Sequence, residues 1–313
     1  MTSKPFTGVL TALATPFSKD LSIDQKALRR LLQIQRDNGI HGVVVCGTTG
    51  ESPTLSKPEK ELLVTIALEY QTETFRVYVG TGSYSTAETI ETSQHFASFK
   101  AHNQTPAGIM VVTPYYNKPT QTGLCEHFLA VAAAVPNTPV CLYNVPGRTG
   151  CTLQPKTLIA IAREASNVVA VKEAAGDIKV VTEMSLLLKE AGLDARVAIL
   201  SGDDPTFASA LLCGASGVIS VTTHLIPAAM LGIFNAAQKG DFATVTRLHQ
   251  KTYAVNTQLF CAPNPIPLKW ALGSLGLCEN VLRLPLSPLE ESDIRVVAQA
   301  LESVKTAGIE IVS

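Results

Sequence analysis

The sequence predicts an α/β fold, a (β/α)8 TIM barrel followed by a C-terminal helical extension. Two observations predict it. Eight short apolar runs recur along the chain, and most of the intervals between them hold amphipathic helical patterns. Their starts lie roughly 20 to 35 residues apart, the repeat expected of parallel strands joined by helical crossovers.

The runs are Gly8–Ala14, Gly42–Cys46, Val77–Gly80, Gly108–Val112, Val140–Tyr143, Val168–Lys172, Val197–Leu200 and Gly217–Val221. Unbroken stretches of β-branched and small apolar residues mark strands buried on both faces. Between the first two, Asp24–Asn38 reads as a helix closed by Gly39 in the C-cap position. After the second, Ser56 and Glu59 form a capping box, and Leu62, Leu63, Ile66, Ala67 and Tyr70 continue the apolar face. Pro227–Lys239 is the eighth barrel helix. Phe242–Asn256, Ile266–Leu275 and Pro288–Ala307 read as further helices, so the expected division is a barrel over 1–240 and a helical domain over 241–313. A doubly wound sheet is the second choice of fold. It lacks support because no Gly-x-Gly-x-x-Gly follows the first strand, and Gly80-Thr81-Gly82 has no third glycine.

Composition narrows the function. At 46% hydrophobic and 16% charged residues, the chain can bury a large core. Its formal net charge of −1 argues against a nucleic-acid partner, which needs a basic surface. No apolar run reaches the ~20 residues that span a bilayer, and Met1–Pro5 lacks the apolar core of a signal peptide. Cysteines 46, 125, 141, 151, 213, 261 and 278 are scattered, with no Cys-x-x-Cys, and mostly fit small buried hydrophobes in a reduced, cytoplasmic protein. The histidines at 41, 95, 102, 127, 224 and 249 show no ligand spacing, so no metal is expected. His41, ahead of the second strand, sits at the end of the barrel away from chemistry.

Active sites of this fold lie at the C-terminal ends of the strands. The sixth strand ends Val168-Val169-Ala170-Val171-Lys172-Glu173, placing an ammonium at the end of a buried run. Burial disfavours the charged form, and a neutral amine attacks carbonyl carbons to form Schiff bases. The bland alternative is that Lys172 reaches solvent or pairs with Glu173. Gly47-Thr48-Thr49-Gly50-Glu51 after strand two makes a tight turn with two hydroxyls, suited to holding an anion. Thr113-Pro114-Tyr115-Tyr116-Asn117-Lys118-Pro119 follows strand four, and Tyr143-Asn144-Val145-Pro146-Gly147-Arg148-Thr149 ends strand five. Phenols move protons, and a guanidinium recognises a carboxylate with two parallel hydrogen bonds. Ser201-Gly202-Asp203-Asp204 after strand seven lets a ligand approach backbone and caps the next helix. A lysine, phenols, hydroxyls and a guanidinium at strand ends suit an oxo-acid substrate.

These five segments, in this order and at about this spacing, resemble the pyruvate-dependent class I aldolases over essentially the whole chain. That superfamily includes the dihydrodipicolinate synthases and the N-acetylneuraminate lyases. Arg148 and the pair Thr48-Thr49 make the chain more similar to the synthase branch, since the lyases lack this arginine and commonly carry Ser-Thr. The resemblance implies a barrel with a helical extension and condensation of pyruvate with L-aspartate 4-semialdehyde to 4-hydroxy-tetrahydrodipicolinate, a lyase-class step toward diaminopimelate and lysine. It implies Lys172 as the Schiff-base nucleophile, with Tyr143, Thr49 and Tyr116 as proton-relay members. Tyr116 would enter from a neighbouring subunit of a homotetramer, or at least a dimer. It further implies Thr48 and Thr49 on the pyruvate carboxylate, Arg148 on the carboxylate of the aldehyde, and Gly202 and Ile219 lining the pocket, with no cofactor and no metal.

One departure bears on regulation. Where lysine-inhibited synthases carry histidines in the helix after the Gly-Thr-Thr-Gly-Glu turn, this chain has Lys57 and Lys60, and Tyr84 replaces an asparagine while Glu88 remains. Two ammonium groups disfavour a cationic effector, so weak or absent lysine inhibition is expected. The alternatives to the synthase are a related aldolase acting on N-acetylneuraminate or 2-keto-3-deoxy sugar acids, and a non-catalytic barrel that binds an oxo acid. The latter has no use for Lys172 together with Tyr143 and Thr49.

Overall fold

Each apolar run of the sequence forms a strand, and the eight strands close into a parallel barrel in sequence order, β1 to β8. The structure, a computed structural model, describes residues 5–312. In chain order the elements are β1 (Gly8–Ala12), α1 (Gln25–Asp37), β2 (Gly42–Val45), α2 (Lys57–Leu68), β3 (Arg76–Gly80), α3 (Thr86–Ser98), β4 (Gly108–Val112) and α4 (Gln121–Ala134). There follow β5 (Val140–Asn144), α5 (Pro146–Thr149), α6 (Pro155–Glu164), β6 (Val168–Glu173), α7 (Ile178–Glu190), β7 (Ala198–Ser201), α8 (Phe207–Leu212) and β8 (Gly217–Ser220). The chain ends with α9 (Pro227–Gln238), α10 (Phe242–Gln258), α11 (Ile266–Ser274) and α12 (Glu291–Thr306). The doubly wound alternative is excluded by the closed strand order. No helix among the described residues is long and apolar enough to cross a membrane.

The chain forms two compact units. The first runs to Gly8 and from Val77 to Ile219. Its strands show how alternation builds a site. Val140 and Leu142 of β5 and Val168 and Val171 of β6 join the apolar cluster formed with Leu124, Phe128 and Val131 of α4 and Leu158 and Ile161 of α6. A register shift between Val140 and Cys141 lets Val168 and Val171 share that face, and beyond it alternation turns Cys141 and Tyr143 of β5, and Ala170 and Lys172 of β6, to the opposite side, the barrel interior. The register pairs Tyr143 with Lys172 and Asn144 with Glu173.

The second unit comprises Val9–Arg76 and Ser220–Ser313. Here α1 is fixed by its Asp24 cap, whose carboxylate accepts from Ala27 N at 2.9 Å, and it buries Leu28, Leu31, Leu32 and Gln35 along one face. Gly39 closes it with φ +75, a region costly for any residue with a Cβ. The capping box on α2 is present, with Glu59 Oε2 accepting from Ser56 N at 2.8 Å. His41 lies just ahead of β2, its Nδ1 accepting from Val9 N at 3.0 Å, a structural contact.

Candidate functional site

The predicted site residues fall in both units. Lys172, Tyr143, Tyr116, Arg148, Gly202 and Ile219 belong to the first, and Thr48 and Thr49 to the second.

In the first unit the strand ends converge on Lys172. Lys172 is 6% exposed, and its Nζ lies 4.4 Å from the centre of the ring of Tyr143, its register partner on β5. The nitrogen thus lies against the face of the Tyr143 ring. Gly202, just beyond β7, makes room for it. A Cβ at 202 would lie 2.8 Å from Lys172 Cε and 2.6 Å from Ala174 Cβ. Only a glycine fits there.

Glu173 does not pair with Lys172. Its side chain faces the helix layer, where Oε2 accepts from Asn144 Nδ2 at 2.7 Å and Oε1 accepts from Ala175 N at 2.8 Å. Burial pushes the Glu173 carboxyl up, opposed by these hydrogen bonds. Asn144 Oδ1 in turn accepts from Leu153 N at 2.8 Å. Residues 145–152 are thereby closed into a loop that carries the exposed Arg148 within the single-turn α5. Cys151 Sγ donates to Pro114 O at 3.2 Å, tying this loop to the segment after β4. The sequence reading missed Asn144 and Glu173 as site supports. Their signal was their place in the strands, one residue beyond Tyr143 and Lys172 and therefore on the opposite face.

The Tyr115-Tyr116 pair divides its roles. Tyr115 is half-buried, edge-on to Tyr84 with ring centres 5.3 Å apart. Tyr116 is 89% exposed. Backbone at Tyr116 (φ 70) and Lys118 (φ 45) is left-handed, uncommon for residues with side chains and maintained only where surroundings enforce it. Ile219 is buried near the end of β8. Asp203 stabilises the turn before α8, accepting from Thr206 N at 3.1 Å, rather than capping the helix itself.

In the second unit, Thr49 is 2% exposed and Thr48 is half-buried. The turn is held by Gly50 N to Gly47 O at 3.1 Å and Glu51 N to Thr48 O at 3.0 Å. Thr49 Oγ1 accepts from Asn264 Nδ2 at 2.9 Å, and Asn264 was not foreseen. Glu51 Oε1 lies 2.5 Å from Lys269 Nζ, with both side chains fully buried. Burial pushes the Lys269 ammonium down, against the opposing pull of Glu51. The described residues contain no group of His, Cys, Asp and Glu able to hold a metal ion.

The chain matches the model of the dihydrodipicolinate synthetase family over residues 5–304. A 4-hydroxy-tetrahydrodipicolinate synthase of Geobacter sulfurreducens is 42% identical over 288 residues, covering 92% of this chain and 95% of that protein. The dihydrodipicolinate synthase of Thermotoga maritima has a crystal structure that superposes with a TM-score of 0.91 at 37% identity, covering 96% of this chain and 99% of that one. The chloride-inhibited enzyme of Acinetobacter baumannii, solved in complex with pyruvate, gives a TM-score of 0.88 at 38% identity and covers 97% of this chain and 99% of that one.

Proposed function

We propose that this chain, which belongs to the dihydrodipicolinate synthetase family, is a 4-hydroxy-tetrahydrodipicolinate synthase acting through a Schiff base on Lys172. The observation that carries the reading is the buried Lys172 amine lying against the Tyr143 ring, with Gly202 leaving room for its Cγ and Cε.

In this mechanism Lys172 Nζ attacks the keto carbon of pyruvate. Nitrogen gives up both of its protons in turn, the former keto oxygen takes them and leaves as water, and an imine remains. The imine withdraws electrons from the methyl group, which gives up a proton to form an enamine. The enamine carbon attacks the aldehyde carbon of L-aspartate 4-semialdehyde, whose oxygen takes up a proton. The semialdehyde's own amine then adds to the imine carbon, closing the ring and releasing Lys172. Tyr143, Thr49 and Tyr116 carry the protons, Thr48 and Thr49 hold the pyruvate carboxylate, Arg148 holds that of the aldehyde, and Gly202 and Ile219 line the pocket. No cofactor or metal enters.

The exposure of Tyr116, on backbone held in a left-handed conformation, supports its serving a neighbouring subunit in a homo-oligomer, a dimer at minimum and a tetramer by resemblance. The division into a catalytic barrel over 1–240 and a helical domain over 241–313 belongs to the same reading. All seven cysteines are free, two of them buried and Cys261 exposed, which supports a reducing cytoplasmic setting.

The test is the condensation rate with pyruvate and L-aspartate 4-semialdehyde for wild type and Lys172→Ala, beside borohydride trapping of the pyruvate imine. A rate that collapses in the variant together with an adduct on Lys172 bears the proposal out. Trapping without condensation keeps the Schiff base but rejects the aldehyde, and no trapping rejects both.

A further inference from the structure

The residue that touches the Thr49 hydroxyl comes from far along the chain. Asn264 is 7% exposed, directly precedes Pro265 at the start of α11, and donates Nδ2–H to Thr49 Oγ1 at 2.9 Å. The same stretch holds the turn that carries Thr49. Lys269, one turn into α11, pairs with Glu51 and donates to Val281 O at 2.8 Å. Arg283 N donates to Glu51 Oε2 at 3.1 Å, and Arg283 Nη1 donates to Thr54 O at 2.8 Å. Two residues beyond Thr49, then, a fully buried carboxylate is held from one side by a cation and from the other by backbone.

A hydroxyl has one hydrogen to give and two lone pairs to receive with. A donor fixed on Thr49 Oγ1 occupies one lone pair, so the hydroxyl hydrogen must point away from Asn264. The incoming N–H also polarises the hydroxyl, which makes its own hydrogen a better donor. In a relay, that orientation decides which way a proton travels.

We infer that Asn264 is a positioning residue for the reaction: it sets the direction in which Thr49 donates, and the segment from 264 to 283 is thereby part of the catalytic apparatus rather than an appendage. The inference rests on the reading of Thr49 as a relay member.

The test uses the full chain carrying Asn264→Asp, Asn264→Ser or Thr49→Val, and measures kcat, KM for pyruvate and their pH dependence. Asn264→Asp keeps the shape but offers an acceptor, so Thr49 turns its hydrogen toward it. The expected result is a kcat lower by ~10- to 100-fold at neutral pH with pyruvate KM nearly unchanged. That loss should shrink as the pH falls and the new carboxyl takes up a proton it can donate. Asn264→Ser, which brings no charge, should lower kcat without that acid recovery, and it decides the matter if the Asp variant does not fold. The inference is overturned if the folded Asn264 variants stay within about twofold of wild-type kcat while Thr49→Val is crippled, a result that leaves the role of Thr49 standing. Wild-type kcat in Thr49→Val instead removes the relay reading, and the inference with it.

Discussion

Asn144 and Glu173 join the ends of two neighbouring strands through a 2.7 Å hydrogen bond on the face opposite Tyr143 and Lys172. The bond ties the amine-bearing strand to the strand that launches the Arg148 loop. It is made in the helix layer, where nothing reacts, and its influence on chemistry runs through the backbone. Removing it with Asn144→Ala leaves a buried carboxylate short of a partner and frees Leu153 N. A stability loss of about 2–4 kcal/mol is expected from urea unfolding. In the fraction that folds, KM for the aldehyde should rise more than KM for pyruvate, because the loop carrying Arg148 loses its closure.

Arg148 itself is a recognition residue in the proposed mechanism. Arg148→Ala should lower kcat/KM for the semialdehyde by ~100-fold, and Arg148→Lys should recover only part because an ammonium lacks the two-pronged geometry. Borohydride trapping of pyruvate should proceed at the wild-type rate in both. Loss of trapping in Arg148→Ala would show that the guanidinium acts on the first substrate instead.

The Glu51–Lys269 pair gives a stability test. Lys269→Met strands a buried carboxylate and should cost about 3–5 kcal/mol, whereas Lys269→Met combined with Glu51→Gln should cost less than the single change. Chemical unfolding of the two variants measures this. Equal losses would mean that lost packing of the lysine stem, and not the unpaired charge, dominates.

Two buried histidines set an acid limit. Burial holds both His127 and His224 down to about 4 from the ordinary 6.5. His224 Nε2 accepts from Ala14 N at 3.1 Å, and a proton on that nitrogen would remove the acceptor. Between these values the unfolded chain binds protons that the folded chain refuses. Their stabilisation is therefore complete above about 6.5 and falls as the pH drops toward 4, by up to ~1.4 kcal/mol per pH unit for each histidine. Urea midpoints measured at intervals across that range, in wild type and His127→Gln, should show a shallower fall in the variant.

Lysine should inhibit condensation weakly or not at all. Lys57 and Lys60 are exposed or half-exposed on α2, and Tyr84 is exposed beside Tyr115, while Glu88 accepts from Ser83 Oγ at 2.7 Å. A titration giving near-complete inhibition at submillimolar lysine would refute this.

The residues that announced themselves in the sequence did so through local pattern. Lys172 stood out because it ended a run of apolar strand residues, and the Ser56–Glu59 box because its two halves lie three residues apart. The strand count and the Arg148 loop were legible for the same reason. Asn264, Lys269 and Arg283 were not, since each meets its partner across more than two hundred residues, a separation that no period or spacing records. Glu59 shows both cases. Its bond to Ser56 was read in advance, while its second partner, Arg283, which with Ser56 holds the carboxyl down to about 2, was not. Asn144 and Glu173 lay in plain view but read as polar ends of strands until their shared face was known.

The bare backbone at Gly202 has a consequence for the motion of Lys172. Each stage of the proposed reaction asks the stem for a different shape: a pyramidal nitrogen as a free amine, a nitrogen bonded to a tetrahedral carbon in the carbinolamine, a flat group as an imine. A lysine stem wedged by neighbours could satisfy one of these and would resist the others. The missing Cβ at 202 lets Cε and Cγ of Lys172 lie where a methyl group would otherwise press on them, while Nζ stays against the Tyr143 ring. What position 202 contributes is clearance, which a single methyl group there would take away.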